Sequence, residues 1–279
     1  MKFQMIKFIF LTLCLLTSYQ KAFAQCNAGQ AFTCFDQSDA DLIFKDLTSA
    51  FAPTTVSGAS SLGKIFGVEL GLVISASRAP NTTAVVKSYG SSFDIPAIPM
   101  AGISGIFTLP YGIGIEGSII PKVDISSYGS FESTNIGARW TITDLLPMGF
   151  FKIAIRGSYL TSNTSITHAE DSGNILIGTV TENANFDVDI VEMGGVIGLN
   201  FKIVEPYLGV SNLKSDGSIV ANGSTTTGAP IPDVDQKSSL SGSRFYGGVL
   251  IKFPLLRIGA EVATIEDVER ASIKIAFKF

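Results

Sequence analysis

Val268-Glu-Arg-Ala-Ser-Ile-Lys-Ile-Ala-Phe-Lys-Phe279 is the stretch on which the fold turns. Ile273, Ile275, Phe277 and Phe279 fall on one side of an extended chain, and Arg270, Ser272, Lys274, Ala276 and Lys278 on the other. A period of two with one apolar face predicts a β-strand that buries that face in something apolar. The same period recurs upstream. Phe66, Val68, Leu70, Leu72 and Ile74 alternate with Gly67, Glu69, Gly71, Val73 and Ser75. Ile136, Ala138, Trp140 and Ile142 alternate with Arg139 and Thr141; Phe245, Val249, Ile251 and Phe253 alternate with Arg244 and Lys252.

Ten such segments follow one another, at roughly 65–78, 101–109, 112–126, 131–142, 150–166, 184–202, 206–221, 240–253, 256–265 and 268–279. Most reach the about 9–11 residues that a tilted strand needs to cross a bilayer. Their connections alternate too. Those after even-numbered segments are short and carry Pro110, Pro147, Pro206 and Pro254, whereas the others include long stretches at 79–100, 167–183 and 222–239. Short turns at one end and long loops at the other predict an all-β fold, a transmembrane antiparallel β-barrel of about ten strands. Eight or twelve strands are the alternatives, and a secreted β-sandwich is the soluble rival. Pro121 falls inside the third segment and predicts a bulge or an early strand end. In the sixth segment Asp187 and Asp189 precede Glu192 on the opposite parity, which predicts a second bulge.

The closing Ile-x-Phe-x-Phe pattern resembles the C-terminal assembly signal of bacterial outer-membrane β-barrels, carried here by Ile275, Phe277 and Phe279. The resemblance implies the outer membrane of a Gram-negative bacterium. It further implies outer-membrane lipid and, through the last strand, the barrel-assembly machinery as partners.

The N-terminal end agrees with export. Lys2 and Lys7, an apolar run from Phe8 to Leu16, and Ala22-Phe23-Ala24 before Gln25 form a cleavable signal peptide over 1–24. Cys26 and Cys34, the pair left after cleavage, read as a local disulfide in an oxidising compartment. The single His, His168, is far from them, so no metal site is expected, and no cofactor. Net charge is −4, and three lysines belong to the leader, so the mature chain lacks the basic footprint of a nucleic-acid binder.

Residues 25–62 read as an N-terminal periplasmic segment ahead of the barrel at 63–279. Within it Ile43, Leu47 and Phe51 recur at helical spacing, Ser38 and Asp41 suit the start, and Pro53 the stop; a helix over 39–51 is predicted. Being ahead of the first strand, it is expected on the periplasmic side, as a plug entering the lumen or as a cap on the barrel bottom. A helix placed there is loosely similar to outer-membrane fatty-acid transporters, whose substrates are hydrophobic.

With the apolar faces in lipid, the inward faces carry Glu69, Glu116, Arg139, Lys152, Arg156, Glu192, Arg244, Lys252, Arg257, Glu261, Arg270, Lys274 and Lys278. Opposite charges on neighbouring strands are expected to pair: Glu116 with Arg139, Arg156 with Glu192, Glu261 with Lys274. The function expected first is a narrow channel or transporter for small solutes, hydrophobic ones included. The alternative is a non-conducting structural or surface-interaction barrel acting through its outer loops. The remote alternative is an outer-rim hydrolase using His168 with Asp171, Asp187 or Asp189. Gly112-Ile-Gly-Ile-Glu-Gly117 fits a nucleotide-binding glycine pattern, but it lies inside an alternating strand with no helix after it.

Overall fold

The computed structural model describes residues 37–63, 65–88, 94–124, 129–146, 149–171, 179–225 and 230–279. The leader, Cys26, Cys34 and Pro147 lie outside them. Among the described residues, ten strands form one closed antiparallel barrel in which each strand pairs with its sequence neighbours and β1 pairs with β10. They are β1 (Gly67–Arg78), β2 (Ala97–Thr108), β3 (Ile113–Asp124), β4 (Gly129–Thr141), β5 (Phe151–Asp171), β6 (Thr179–Leu199), β7 (Val204–Thr225), β8 (Pro230–Lys252), β9 (Leu256–Ile265) and β10 (Val268–Lys278). Helix α1 (Gln37–Phe51) precedes the barrel, and α2 (Pro80–Ser88) follows β1. Phe279 exchanges both main-chain hydrogen bonds with Val68, at 2.8 and 3.2 Å, and so completes closure.

The outside of the wall is apolar. Leu70, Leu72, Ile74, Ile136, Val191, Met193, Leu208, Phe245, Val262, Ile273, Ile275 and Phe277 are all exposed there. In water so large an apolar surface would drive association; in a bilayer it is the solvated face. Ordinary orientation for such barrels puts the short turns in the periplasm.

Two of the loops expected at the other end are strand instead. Residues 167–171 and 179–183 extend the β5–β6 hairpin, and 222–225 and 230–239 extend β7–β8. In these stretches the period of two in the sequence fades while main-chain pairing continues. The connection at 79–100 holds α2 and the start of β2. Pro206 lies near the beginning of β7 rather than in a turn, a position where a missing N–H is tolerated.

Pro121 does sit in a bulge, since the β3–β4 register shifts between Ile120 and Val123. The bulge expected in β6 is absent: its registers with β5 and β7 run unbroken past Asp189 and Glu192. Polarity changes sides instead. Val188 and Ile190 point inward and are buried, while Asp187 and Asp189 face out into water. One turn of the pleat lower, Glu192 is inside and Val191 and Met193 are outside. The upper lumen is apolar and the lower lumen charged.

The upper lumen is apolar because α1 occupies it. The helix lies at the outer mouth, not at the periplasmic side. Gln37 donates to the Lys237 carbonyl at 2.8 Å, Thr48 to Ser215 at 3.0 Å, and Lys45 reaches Asp267 in the β9–β10 turn at 3.4 Å. Its buried stripe runs through Ala40, Phe44 and Phe51, with Ile43 and Leu47 only half-buried at its flank. Phe44, beside the Ile43 position expected to lead the stripe, is the centre of a cluster with Val188, Ile190, Leu213 and Ile265. Gly217 opposite it leaves the space its ring fills. Ser38 lies within the first turn rather than capping it; Asp41 accepts from Gln37 and from Ser238.

Phe44→Ala should cost about 3–5 kcal/mol, the usual range for emptying a buried aromatic site. Urea unfolding followed by the helical circular-dichroism signal of the refolded protein checks this.

Candidate functional site: the occupied lumen

After Phe51 the chain runs down through the lumen to the periplasmic end, and residues 52–60 are buried except Thr54, which is half-buried. An extended segment without a sheet partner must find its hydrogen bonds elsewhere. It finds them in barrel arginines. Arg270 donates to the carbonyls of Ser49 and Ala52 at 3.1 and 2.6 Å. Arg244 donates to that of Pro53 at 2.6 Å. Arg156 donates to that of Ser57 at 2.8 Å, and Arg139 to those of Gly58 and Ser60 at 2.7 and 3.3 Å. Near the bottom Thr141 donates to the Ala59 carbonyl at 2.8 Å, and the Ser60 N–H donates to Glu205 at 2.8 Å. Val56, fully buried midway, has φ of 43°, a conformation a β-branched residue adopts only when its surroundings impose it.

The carboxylates around this segment are held by two of these arginines, Arg244 and Arg139, and by Lys274, Arg257 and Lys252. Arg244 spans Glu192 at 3.0 Å and Glu261 at 2.7 Å and lies over the Tyr246 ring, 4.6 Å from its centre. Tyr207 and Ser211 donate to Glu261 and Glu192. Glu69 takes Lys274 at 2.6 Å and Arg257 at 3.3 Å. Glu205 pairs with Lys252 at 2.6 Å, and Glu116 with Arg139 at 3.6 Å. Lys152 pairs with Asp144 at 2.9 Å near the periplasmic turn, and Lys278 is half-buried at the same end.

Of the three expected ion pairs, Glu116–Arg139 forms. The other two are re-partnered: Glu192 and Glu261 both go to Arg244, Lys274 goes to Glu69, and Arg156 goes to the Ser57 carbonyl. Glu69–Lys274 and Glu261–Arg244 do join neighbouring strands, but Glu192 reaches Arg244 past β7, a span that pairing of adjacent strands does not consider. Glu205 and Tyr207, which sequence reasoning left out, are inward and buried at the start of β7; Glu205 alternating with Tyr207 was the available signal. The threading of 52–62 had no periodic signal at all.

His168 belongs to β5, opposite Glu182, and its side chain is outside the described set. Asp187 is opposite Asn163, five residues lower, which separates it from His168 by about 17 Å along the strand. Asp189 is further still and accepts from Tyr159 at 2.8 Å on the outer face. The rim His–Asp pair considered from sequence is therefore not assembled with these acids. Asp171, at the far end of β5, is opposite Thr179. The Gly112–Gly117 pattern lies in the β2–β3 turn and in β3 itself.

At the outer mouth Asp46 of α1 caps α2, accepting from the Thr82 N–H at 2.6 Å and from the Asn81 amide at 2.8 Å. Burial pushes its carboxyl above the ordinary value despite those bonds. A raised folded pKa means stability that is full at acid pH and lost as pH rises through that value.

The wall and its contents define the class: an outer-membrane β-barrel whose lumen is filled by its own N-terminal segment. Within that class, residues 80–279 match the profile of the family described as "Family of unknown function (DUF6588)", and the chain belongs to that family. No curated protein matches it. Among solved structures it is similar to Ail, the attachment invasion locus protein of Yersinia pestis. That match has 11% identity, covers 77% of this chain and 97% of that one, and has a TM-score of 0.31. It is similar also to the translocator domain of the autotransporter NalP from Neisseria meningitidis, at 7% identity, 90% and 97% coverage and a TM-score of 0.39. Neisserial surface protein A matches at 12% identity, 76% and 95% coverage and a TM-score of 0.29.

Two predictions follow from these contacts. Arg244→Ala leaves Glu192 and Glu261 buried without their cation and should cost about 3–5 kcal/mol; adding Glu192→Gln and Glu261→Gln should restore part of it, read as a double-mutant-type cycle in urea unfolding. Asp46→Asn should hold α2 at neutral pH at least as well as the native residue and should flatten the pH dependence of its docking, read by amide hydrogen exchange of Thr82 and Thr83.

Proposed function

We propose that this chain is a self-plugged barrel of the Gram-negative outer membrane that passes no ions while residues 37–62 occupy it. On this reading it meets its surroundings through the tall β5–β8 sheet on the outer side. The observation that carries the reading is the set of main-chain carbonyls from Ser49 to Ser60 held by Arg139, Arg156, Arg244 and Arg270. A pore would leave those arginines to water; here each of the four donates to the protein's own backbone.

A narrow path for small solutes is the second reading, and the apolar upper lumen around Phe51 and Leu160 favours it for hydrophobic ones. It requires the segment to move. Export by a cleaved signal peptide and recognition of Ile275, Phe277 and Phe279 by the assembly machinery belong to the same proposal; all three side chains are exposed on the lipid-facing side of the last strand.

Planar-bilayer recording distinguishes the two readings. The refolded protein carrying residues 37–62 should be silent, and the form lacking them, shown to be folded by its heat-modifiable gel mobility, should conduct. Steady conductance in the intact protein would overturn the closed reading. Should the truncated form fail to fold, Arg139→Ala with Arg156→Ala in the intact chain should produce brief openings that the native protein lacks.

A further inference from the structure

The wall is not paired evenly. β2 pairs with β1 along its whole length, from Ala97 opposite Arg78 to Thr108 opposite Gly67. With β3 it pairs only from Ile103 opposite Ile119 down to Thr108 opposite Gly114. Among the described residues, 97–102 of β2 have no ladder partner on β3, and of 120–124 in β3 Ile120, Val123 and Asp124 pair with β4. Prolines flank this seam: Pro96 and Pro99 on one side and Pro121 on the other. A proline has no N–H to give a ladder, which weakens strand pairing where it stands.

Behind the seam is a cavity of about 50 Å³. Phe51, Val73 and Leu160 line it from the lumen, Met100 and Ala101 from β2, and Ile120 from β3. Its lining also includes hydroxyls, but none of its residues is charged. Ala101 is exposed on the outer wall and stands opposite Ile74, a lipid-facing residue. The cavity thus touches the apolar belt through the unpaired part of the wall. A liquid water occupies about 30 Å³, so the space suits the end of a chain rather than a whole solute.

We infer that this cavity is a lateral site that takes the terminal carbons of an acyl chain from the surrounding bilayer, admitted between β2 and β3 beside Ala101. The acyl end occupies this space beside α1 and rests against Phe51. The site exists whether or not the barrel conducts.

A nitroxide on Met100→Cys, with Cys14, Cys26 and Cys34 replaced by Ser, tests this in the full chain refolded into phosphatidylcholine bilayers. Molecular oxygen concentrates in hydrocarbon and a nickel chelate in water. The label should show a severalfold excess of oxygen over nickel accessibility, like a label at lipid-facing Ile74. Ala101→Phe, which places a ring across the seam, should lower the oxygen value toward that of a label at fully buried Ile190. Nickel accessibility above oxygen would mean a water cleft, and low values for both would mean a sealed wall; either overturns the inference, as does indifference to Ala101→Phe. If Met100→Cys does not fold, Ile120→Trp in a Trp140→Phe background decides by its quenching with brominated acyl chains. Quenching comparable to that of Ile119→Trp in the same background supports the site, and no quenching overturns it.

Discussion

Arg139 and Arg156 stand directly opposite each other on β4 and β5, a pairing of like charges that destabilises a sheet. Arg139 has Glu116 at 3.6 Å, and Arg156 lies against the Tyr246 ring, 5.6 Å from its centre. What makes the pairing tolerable is the extended backbone between them, whose carbonyls at Ser57, Gly58 and Ser60 accept from both guanidiniums. Arginine suits this role because its charge is fixed and its donors lie in a plane, so one side chain can serve several carbonyls. Around the lumen as a whole the inward cations exceed the carboxylates, and the excess is matched by main-chain oxygens. The barrel wall is electrostatically incomplete without residues 49–60.

That dependence explains the vertical division of the interior. Where the segment is extended, its polar backbone faces the wall, and the wall answers with charge. Where it is helical, its backbone is satisfied internally, and only side chains face the wall, which answers with Val188, Ile190, Leu213 and Ile265. The change of inner surface from charged to apolar thus follows the change of the plug from extended to helical at Phe51 and Ala52. The outer surface changes at nearly the same height for an unrelated reason, the edge of the bilayer.

The two reversals together account for what was legible in the sequence. In β10, β1 and β9 the strands are short and stay within the belt, so alternation was clean and their bounds were readable to within two residues. β6 crosses the height at which both surfaces change sign. Asp187 and Asp189 outside and Glu192 inside look like a parity error, although the register is regular. Thr179–Asn183 and Asn222–Thr225 carry no one-sided pattern in the sequence, and strand was mistaken for loop. The inward charges could be placed by parity alone. Their partners could not, because Arg244 on β8 reaches past β7 to Glu192 on β6, and because half of the arginine contacts are to backbone, which leaves no trace in side-chain pattern.

The same reasoning constrains how such a barrel could open. Removing the segment exposes at least four arginines together with the Glu205 oxygen that holds Ser60, so an empty lumen is stable only if water or anions enter as the chain leaves. Movement of α1 alone asks for less. Its contacts at the mouth combine the apolar cluster around Phe44 with bonds of Gln37 and Asp41 to β8, the Lys45–Asp267 pair, the Thr48–Ser215 bond and the Asp46 cap on α2. Arg270, which holds the carbonyls of Ser49 and Ala52, is the boundary between the two regimes. Above it the helix can shift against an apolar surface at the expense of packing. Below it displacing the chain breaks the bonds of Pro53, Ser57, Gly58 and Ser60 to buried charged side chains. Any physiological opening is therefore expected to begin above Arg270, on the side where the β2–β3 seam lies, and not by expulsion of the extended segment through the floor.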